Sequence, residues 1–229
     1  MKSIIIKKLQ FSKIKKEELL QQITNYSFTP ELGEGIRIVE QSQEHIACHY
    51  LVESVFRQDT YNYETDQFEK IEYKRVERTL FFIDFEQQTL DIMGNKQQAT
   101  KVIEFIGKVS SYRLPISDAP INLIKLINSW KNGGVAFNVT RLKLCDYTFF
   151  DNIVGNCVLN LTGYPKAMDV LKSYEKQILN VSLNVILEDA CTITFYKSGA
   201  VSIYKDIDDI DLPLVRLLKK GVQGGETNA

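Results

Sequence analysis

The segment from Ile36 to Met93 constrains the fold more than any other part of this chain. β-Branched and aromatic residues recur there with a period near two, and a helix cannot gather such a pattern onto one face. Ile36 to Val39 and His45 to Phe56 read as extended. Thr60 to Tyr63 and Phe68 to Arg78 alternate on either side of a turn at Thr65-Asp66. Leu80 to Phe85 (LFFIDF) is a compact apolar run suited to a central strand, and Leu90 to Met93 is its expected hairpin partner.

Helical signals flank this region. A first strand, Ser3 to Phe11, precedes a short helix over Lys15 to Thr24, with Leu19, Leu20 and Ile23 on one face and Phe28-Thr29-Pro30 closing the unit. Gly33 and Gly35 mark a loop. Asn95 caps a longer helix, Gln98 completes a capping box, and Ala99, Val102, Ile103, Ile106 and Val109 form its apolar stripe. Asp118 and Pro120 are expected to open a helix over PINLIKLINSW, closed by Gly133-Gly134. Strands over Val135 to Leu144 and Asn156 to Leu161 follow. Pro165 then starts a helix carrying Met168, Leu171, Tyr174, Ile178 and Leu179. Strands at Val181 to Leu187, Cys191 to Tyr196 and Val201 to Tyr204 come next, with a terminal helix over Leu214 to Lys219. The hairpins TLFFIDFEQQTLDIM (from Thr79) and TITFYKSGAVSIY (from Thr192) can be set side by side. The expected fold is α+β: largely antiparallel sheets with helices packed on one face, as two related β-meander-plus-helix halves. Residues 1–112 form the N-terminal half, 113–220 the C-terminal half, and 221–229 a Gly-rich tail.

The 229 residues are 44% hydrophobic and 25% charged, ordinary values for a globular protein. The start, MKSIIIKKLQF, has too short an apolar run for a secretory signal, and no stretch reaches the length of a membrane span, so a cytoplasmic protein without a membrane partner is expected. Cys48, Cys145, Cys157 and Cys191 contain no C-x-x-C pair. They read as small buried apolar residues rather than zinc ligands.

The search for chemistry finds no active-site motif: no nucleophile elbow, no Walker loop, no dinucleotide fingerprint. No cofactor is expected. His45 and His49 are the only two histidines, and on a strand their spacing sets them about 13 Å apart on one side, too far to share a metal ion. Glu72-Tyr73-Lys74 is an E-x-K triplet of the kind metal-dependent nucleases use, but its nearest upstream carboxylate, Asp66, sits in the turn before the same strand. Asp206, Asp208, Asp209 and Asp211 lack the glycine and closing glutamate of an EF-hand loop.

Charge is more informative. The formal net charge is −1, which removes the simplest signature of a nucleic-acid binder, a strongly basic domain. The distribution is uneven, however. Residues 1–16 hold six lysines, among them Lys7, Lys8, Lys13, Lys15 and Lys16, and no acidic residue. Lys70, Lys74 and Arg78 share strand parity and should project from one sheet face, with Glu72 in the same row. Such rows can meet phosphates. They also serve as a solvated face that blocks edge aggregation.

The order of features resembles the RdgC family of recombination-associated nucleoid proteins. The matching parts are the opening strand and helix with Ser27-Phe28-Thr29-Pro30, the long strand region leading into Thr79-Leu80-Phe81-Phe82-Ile83-Asp84, and the helix beginning near Asn95. Leu123 to Gly134, with Trp130 followed by Gly133, also matches, as do Phe137, Leu142-Lys143-Leu144 and the strands from Val181 to Ile203. The chain looks shorter than typical members and lacks their more charged middle region. The resemblance implies a homodimeric ring around double-stranded DNA, without catalysis or sequence reading. The leading expectation is therefore a non-enzymatic, sequence-independent DNA-binding protein with a protective, recombination or phage-related role. Its candidate contacts are Lys7, Lys8, Lys13, Lys15, Lys16, Lys70, Lys74 and Arg78. A protein-interaction subunit of a larger complex, such as a defence assembly, is the alternative. A divergent metal-dependent nuclease is the third.

Overall fold

A computed structural model describes residues 2–151, 153–186 and 190–204. In chain order the elements are β1 (Lys2–Leu9), α1 (Lys16–Asn25), β2 (Glu34–Gln41), β3 (His45–Asn62), β4 (Gln67–Asp84), β5 (Thr89–Met93), α2 (Lys96–Val109), β6 (Ile116–Asp118), α3 (Leu123–Asn132), β7 (Phe137–Phe150), β8 (Ile153–Asn160), α4 (Ala167–Ser173), β9 (Ile178–Ile186), β10 (Ala190–Tyr196) and β11 (Ala200–Tyr204). The predicted terminal helix, the Asp206–Asp211 cluster and the tail lie outside the described residues.

The α+β expectation is overturned. Strand accounts for 52% of the described residues and helix for 22%, so this is a mainly antiparallel sheet protein. Two local outcomes explain the shift. The segments 68–78 and 80–85 are one uninterrupted strand of 18 residues, β4, paired along its whole length with an 18-residue β3. The helices, meanwhile, are short. The stretch after Asp118 becomes helical only at Leu123, capped by the Asn122 side chain, and the helix after Pro165 ends at Ser173, leaving Ile178 and Leu179 to begin β9.

The chain divides into two compact units, residues 8–116 and residues 2–7 with 117–204. β1 continues across the division. In the first unit the strands run β2-β3-β4-β5 in antiparallel succession. Its core sets Leu19 and Ile23 of α1 and Val102, Phe105 and Ile106 of α2 with Ile46, Cys48, Phe81, Ile83, Leu90 and Ile92 of the sheet, all buried. The Phe105 ring lies 4.9 Å from that of Tyr50. Each such side chain contributes about 1.5–3 kcal/mol through burial. Asn95 caps α2 as the sequence predicts: its side chain accepts from the Gln98 N–H at 3.0 Å, and the Gln98 side chain accepts from the Asn95 N–H at 2.9 Å. Gly35 is dictated by close approach, because a side chain there would strike the backbone of Phe28 where Ser27 bridges to Ile36.

In the other unit the order is β1-β11-β10-β9-β7-β8. Trp130 of α3 is buried with its ring 5.2 Å from Phe195, edge to face, and Val181, Leu183, Leu142 and Ile193 of the sheet are buried too. Of the four cysteines, Cys48 and Cys191 are buried and Cys145 and Cys157 partly so. No helix among the described residues is long and apolar enough to cross a membrane.

Candidate functional site

β3 and β4 are far longer than their neighbours. β2 pairs with β3 only as far as Val52, and β5 with β4 only as far as Leu80. Beyond those points, among the described residues, the strand pairing of 53–62 and 67–77 is with each other, Glu53 also donating its N–H to the Gly33 carbonyl, and they form a two-stranded arm about 30 Å long. The turn at its tip is built by local chemistry. Asn62 Oδ1 accepts the Glu64 N–H at 2.9 Å, and Asp66 takes a left-handed φ of 55°, a conformation that Asp tolerates.

Register fixes what each face of the arm carries. One face pairs Tyr61 with Phe68, Asp59 with Lys70, Arg57 with Glu72, Val55 with Lys74 and Glu53 with Val76. The acids and bases on it neutralise one another: Arg57 Nε lies 2.5 Å from Glu72, and Lys74 Nζ lies 2.7 Å from Glu53. The opposite face stacks Phe56 on Tyr73, with ring centroids 5.7 Å apart, sets Arg75 over the Phe56 ring at 5.8 Å, and adds Ile71. At the tip Tyr61 meets Phe68 and Tyr63 edge to face, each at 5.2 Å. Tyr63 is 90% and Phe68 74% exposed, and Val55, Ile71, Tyr73 and Val76 are each about half exposed. Among the described residues, no core receives an apolar face of this ribbon.

The structure distributes the predicted DNA contacts over three places. Lys7 is ion-paired with Asp118 and mostly covered. Lys13 and Lys15 are exposed on the connection from β1 to α1, and Lys8 is exposed near the end of β1. Lys16, in the first turn of α1, donates to the Gln43 carbonyl and sits 4.5 Å over the Phe85 ring. Lys70, Lys74 and Arg78 do share one face, as their parity requires, but that face begins at the other end of β4. Lys70 stands fifteen residues from Phe85, about 50 Å along the strand. The predicted cations therefore do not form one continuous positive groove.

The nuclease-like triplet does not assemble a site. Glu72 and Lys74 share a face but are engaged by Arg57 and Glu53 on an open ribbon, and Asp66 accepts the Tyr61 hydroxyl. Among the described residues no group of three His, Cys, Asp or Glu side chains is placed to hold a metal ion. His45 bonds Glu40 at 3.2 Å and Ser42 at 3.0 Å, whereas His49 lies on β3 opposite Arg37. Burial, then the charges of Arg78 and Arg37, hold the His49 imidazole below its ordinary pKa, which favours the neutral ring.

Sequence reasoning located the hairpin but missed its aromatic tip and its two solvated faces. The available signal was that apolar residues occupy both parities between Val55 and Val76, so no one-sided core can receive them. Neither a family model nor a curated protein matches this chain.

Proposed function

We propose that this is a non-enzymatic binding protein whose β3–β4 arm docks on another polypeptide chain, as a subunit of a larger assembly. The observation that carries the reading is the arm itself, a ribbon exposing aromatic and aliphatic side chains on both faces and at its tip. A lone two-stranded ribbon is only marginally stable in water, and exposed apolar surface of this kind marks association sites. Aromatic anchors bordered by paired charges also match the make-up of protein interfaces. The arm's charge argues against a polyanion. Residues 53–77 carry four cations (Arg57, Lys70, Lys74, Arg75) against seven carboxylates (Glu53, Asp59, Glu64, Asp66, Glu69, Glu72, Glu77), a formal charge of −3.

A second reading, binding to the phosphate backbone of duplex DNA, is favoured by the exposed Lys13 and Lys15 with Lys8 nearby. One experiment separates the two. A photo-crosslinking phenylalanine analogue is placed at Phe68, with exposed Ser173 of the other unit as a control, in the cells that make the protein. A discrete protein adduct from position 68, abolished by Tyr63→Ser with Tyr61→Ser, is the expected result. In parallel, a labelled random duplex is titrated at several salt concentrations. No adduct from position 68, with duplex binding that weakens log-linearly with salt and falls in a Lys8, Lys13, Lys15→Glu variant, replaces the first reading with the second.

A further inference from the structure

The sheet of the unit formed by residues 2–7 and 117–204 has a face that its apolar core does not use. Along β9, β10 and β11 apolar residues alternate with polar ones. Val181, Leu183, Ile193, Phe195, Val201 and Ile203 are buried in the core, and the intervening positions are hydroxyl, amide or phenol side chains. The strand register lines up Ser3, Ser202, Thr194, Ser182, Arg141 and Asn160 in a single row across six strands. An aliphatic residue in place of each small hydroxyl would serve the sheet equally well, since β-branched side chains suit strands. A row this polar, with a guanidinium in it, asks for a different explanation.

The row borders a groove of about 570 Å³, within the size range of small-molecule sites. Its chemistry is one-sided. Among the described residues no carboxylate lines it, and Val158 is the one aliphatic wall residue. Arg141 projects into it with no ion pair or hydrogen bond among the described residues, leaving five N–H donors to spare. The Asn160 carbonyl oxygen is occupied by the Thr162 N–H at 3.1 Å, so the part of that amide left for a ligand is its NH₂ group. The hydroxyls of Thr162, Thr192 and Tyr204 also line the groove and make no hydrogen bond among the described residues. Ser182 and Thr194, bonded to each other at 2.8 Å, close its floor. A neutral sugar needs acceptors as well as donors, and carboxylates usually supply them. A cationic ligand would meet Arg141. A site rich in donors, bearing one positive charge and no negative one among the described residues, suits a group that only accepts hydrogen bonds.

We propose that this groove binds the phosphoryl oxyanion of a small phosphate ester, with Arg141 as the charge partner and Thr192, Thr162, Tyr204 and the Asn160 amide as the surrounding donors. The interaction is separate from the arm and does not depend on its partner. The same oxyanion chemistry occurs in free phosphate esters and in a nucleic-acid backbone, and the test distinguishes the two sources.

The full chain, isotopically labelled, is titrated at low ionic strength with adenosine 5′-monophosphate and with inorganic phosphate, and amide resonances are followed by NMR. Saturable shifts centred on Arg141, Asn160, Thr192 and Thr194, with millimolar or tighter affinity for the monophosphate, are expected. Arg141→Gln should weaken binding about tenfold or more and Arg141→Lys much less, because a charge-assisted bond is lost in the first and partly kept in the second. Arg141 is exposed, so both variants should melt with the wild type, and Thr192→Val gives an independent check with a smaller loss. Absence of saturable shifts up to about 10 mM of either probe, or equal affinity in Arg141→Gln, overturns the proposal. Displacement of the monophosphate by a random duplex at equal phosphate concentration overturns the small-ester assignment and transfers the groove to a nucleic-acid backbone.

Discussion

At the scale of single residues, partnership matters more than identity. Lys74 looks like a phosphate contact until Glu53 is found beside it at 2.7 Å, and Glu72 looks like a metal ligand until Arg57 is found at 2.5 Å. Such exposed pairs are worth only about 0–1 kcal/mol each, but they cancel the local field that either function needs. Cys48 shows the opposite effect, an environment that removes reactivity: burial pushes its thiol up to about 12, so it is an inert core residue. His49 gives a pH prediction. Its folded pKa lies below the ordinary value near 6.5, so the unfolded chain takes up the proton first as pH falls. The stabilisation tied to the neutral ring is complete above about pH 6.5 and is lost as pH drops from there through the folded pKa. The fall in melting temperature across that acid window should be shallower in His49→Gln than in the wild type, as read by thermal melts at a series of pH values.

At the scale of elements, the legible parts were those set by local rules. The Asn95–Gln98 capping box stands as the sequence predicts because both partners lie within one turn. Asn95→Ala should cost about 1 kcal/mol and lower the melting temperature by a few degrees, measured by calorimetry, whereas Asn95→Asp should be close to neutral. The β4–β5 hairpin was legible for the same reason, as was the turn after Asn62. The length of β3 and β4 was not. Arg78 and Thr79 give no break between the two apolar-alternating segments, yet whether a strand continues past the edge of its sheet depends on the partner's register. Helix length failed in the same way. Tyr174, Ile178 and Leu179 fit a helical stripe, but β10 claims the backbone from Asn180 onward through the Asn180–Tyr196 pairing. The candidate surface was legible as a hairpin and illegible as an arm, because solvation of both faces is a fact about what fails to pack there.

At the scale of the whole molecule, the dominance of antiparallel strands has a kinetic consequence. Pairings such as Ser3 with Ser202 join residues from opposite ends of the chain, and closing such loops precedes any gain from the contact. Refolding from denaturant, followed by stopped-flow fluorescence of Trp130, is expected in milliseconds to seconds rather than microseconds. The net charge of −1 conceals a strongly uneven layout, with lysines at the β1–α1 connection, a negative arm, and a groove on the other unit's sheet that carries Arg141. By itself the sequence determined the strand-forming character of residues 36–93, the capped helix after Asn95 and the absence of a familiar catalytic motif, because each depends on neighbours a few positions away. The arm, the neutralisation of its cations and the polar row that carries Arg141 were decided only by tertiary structure. Strand register, which sets the residue opposite each side chain and the face it shares, is a property of pairs distant in sequence.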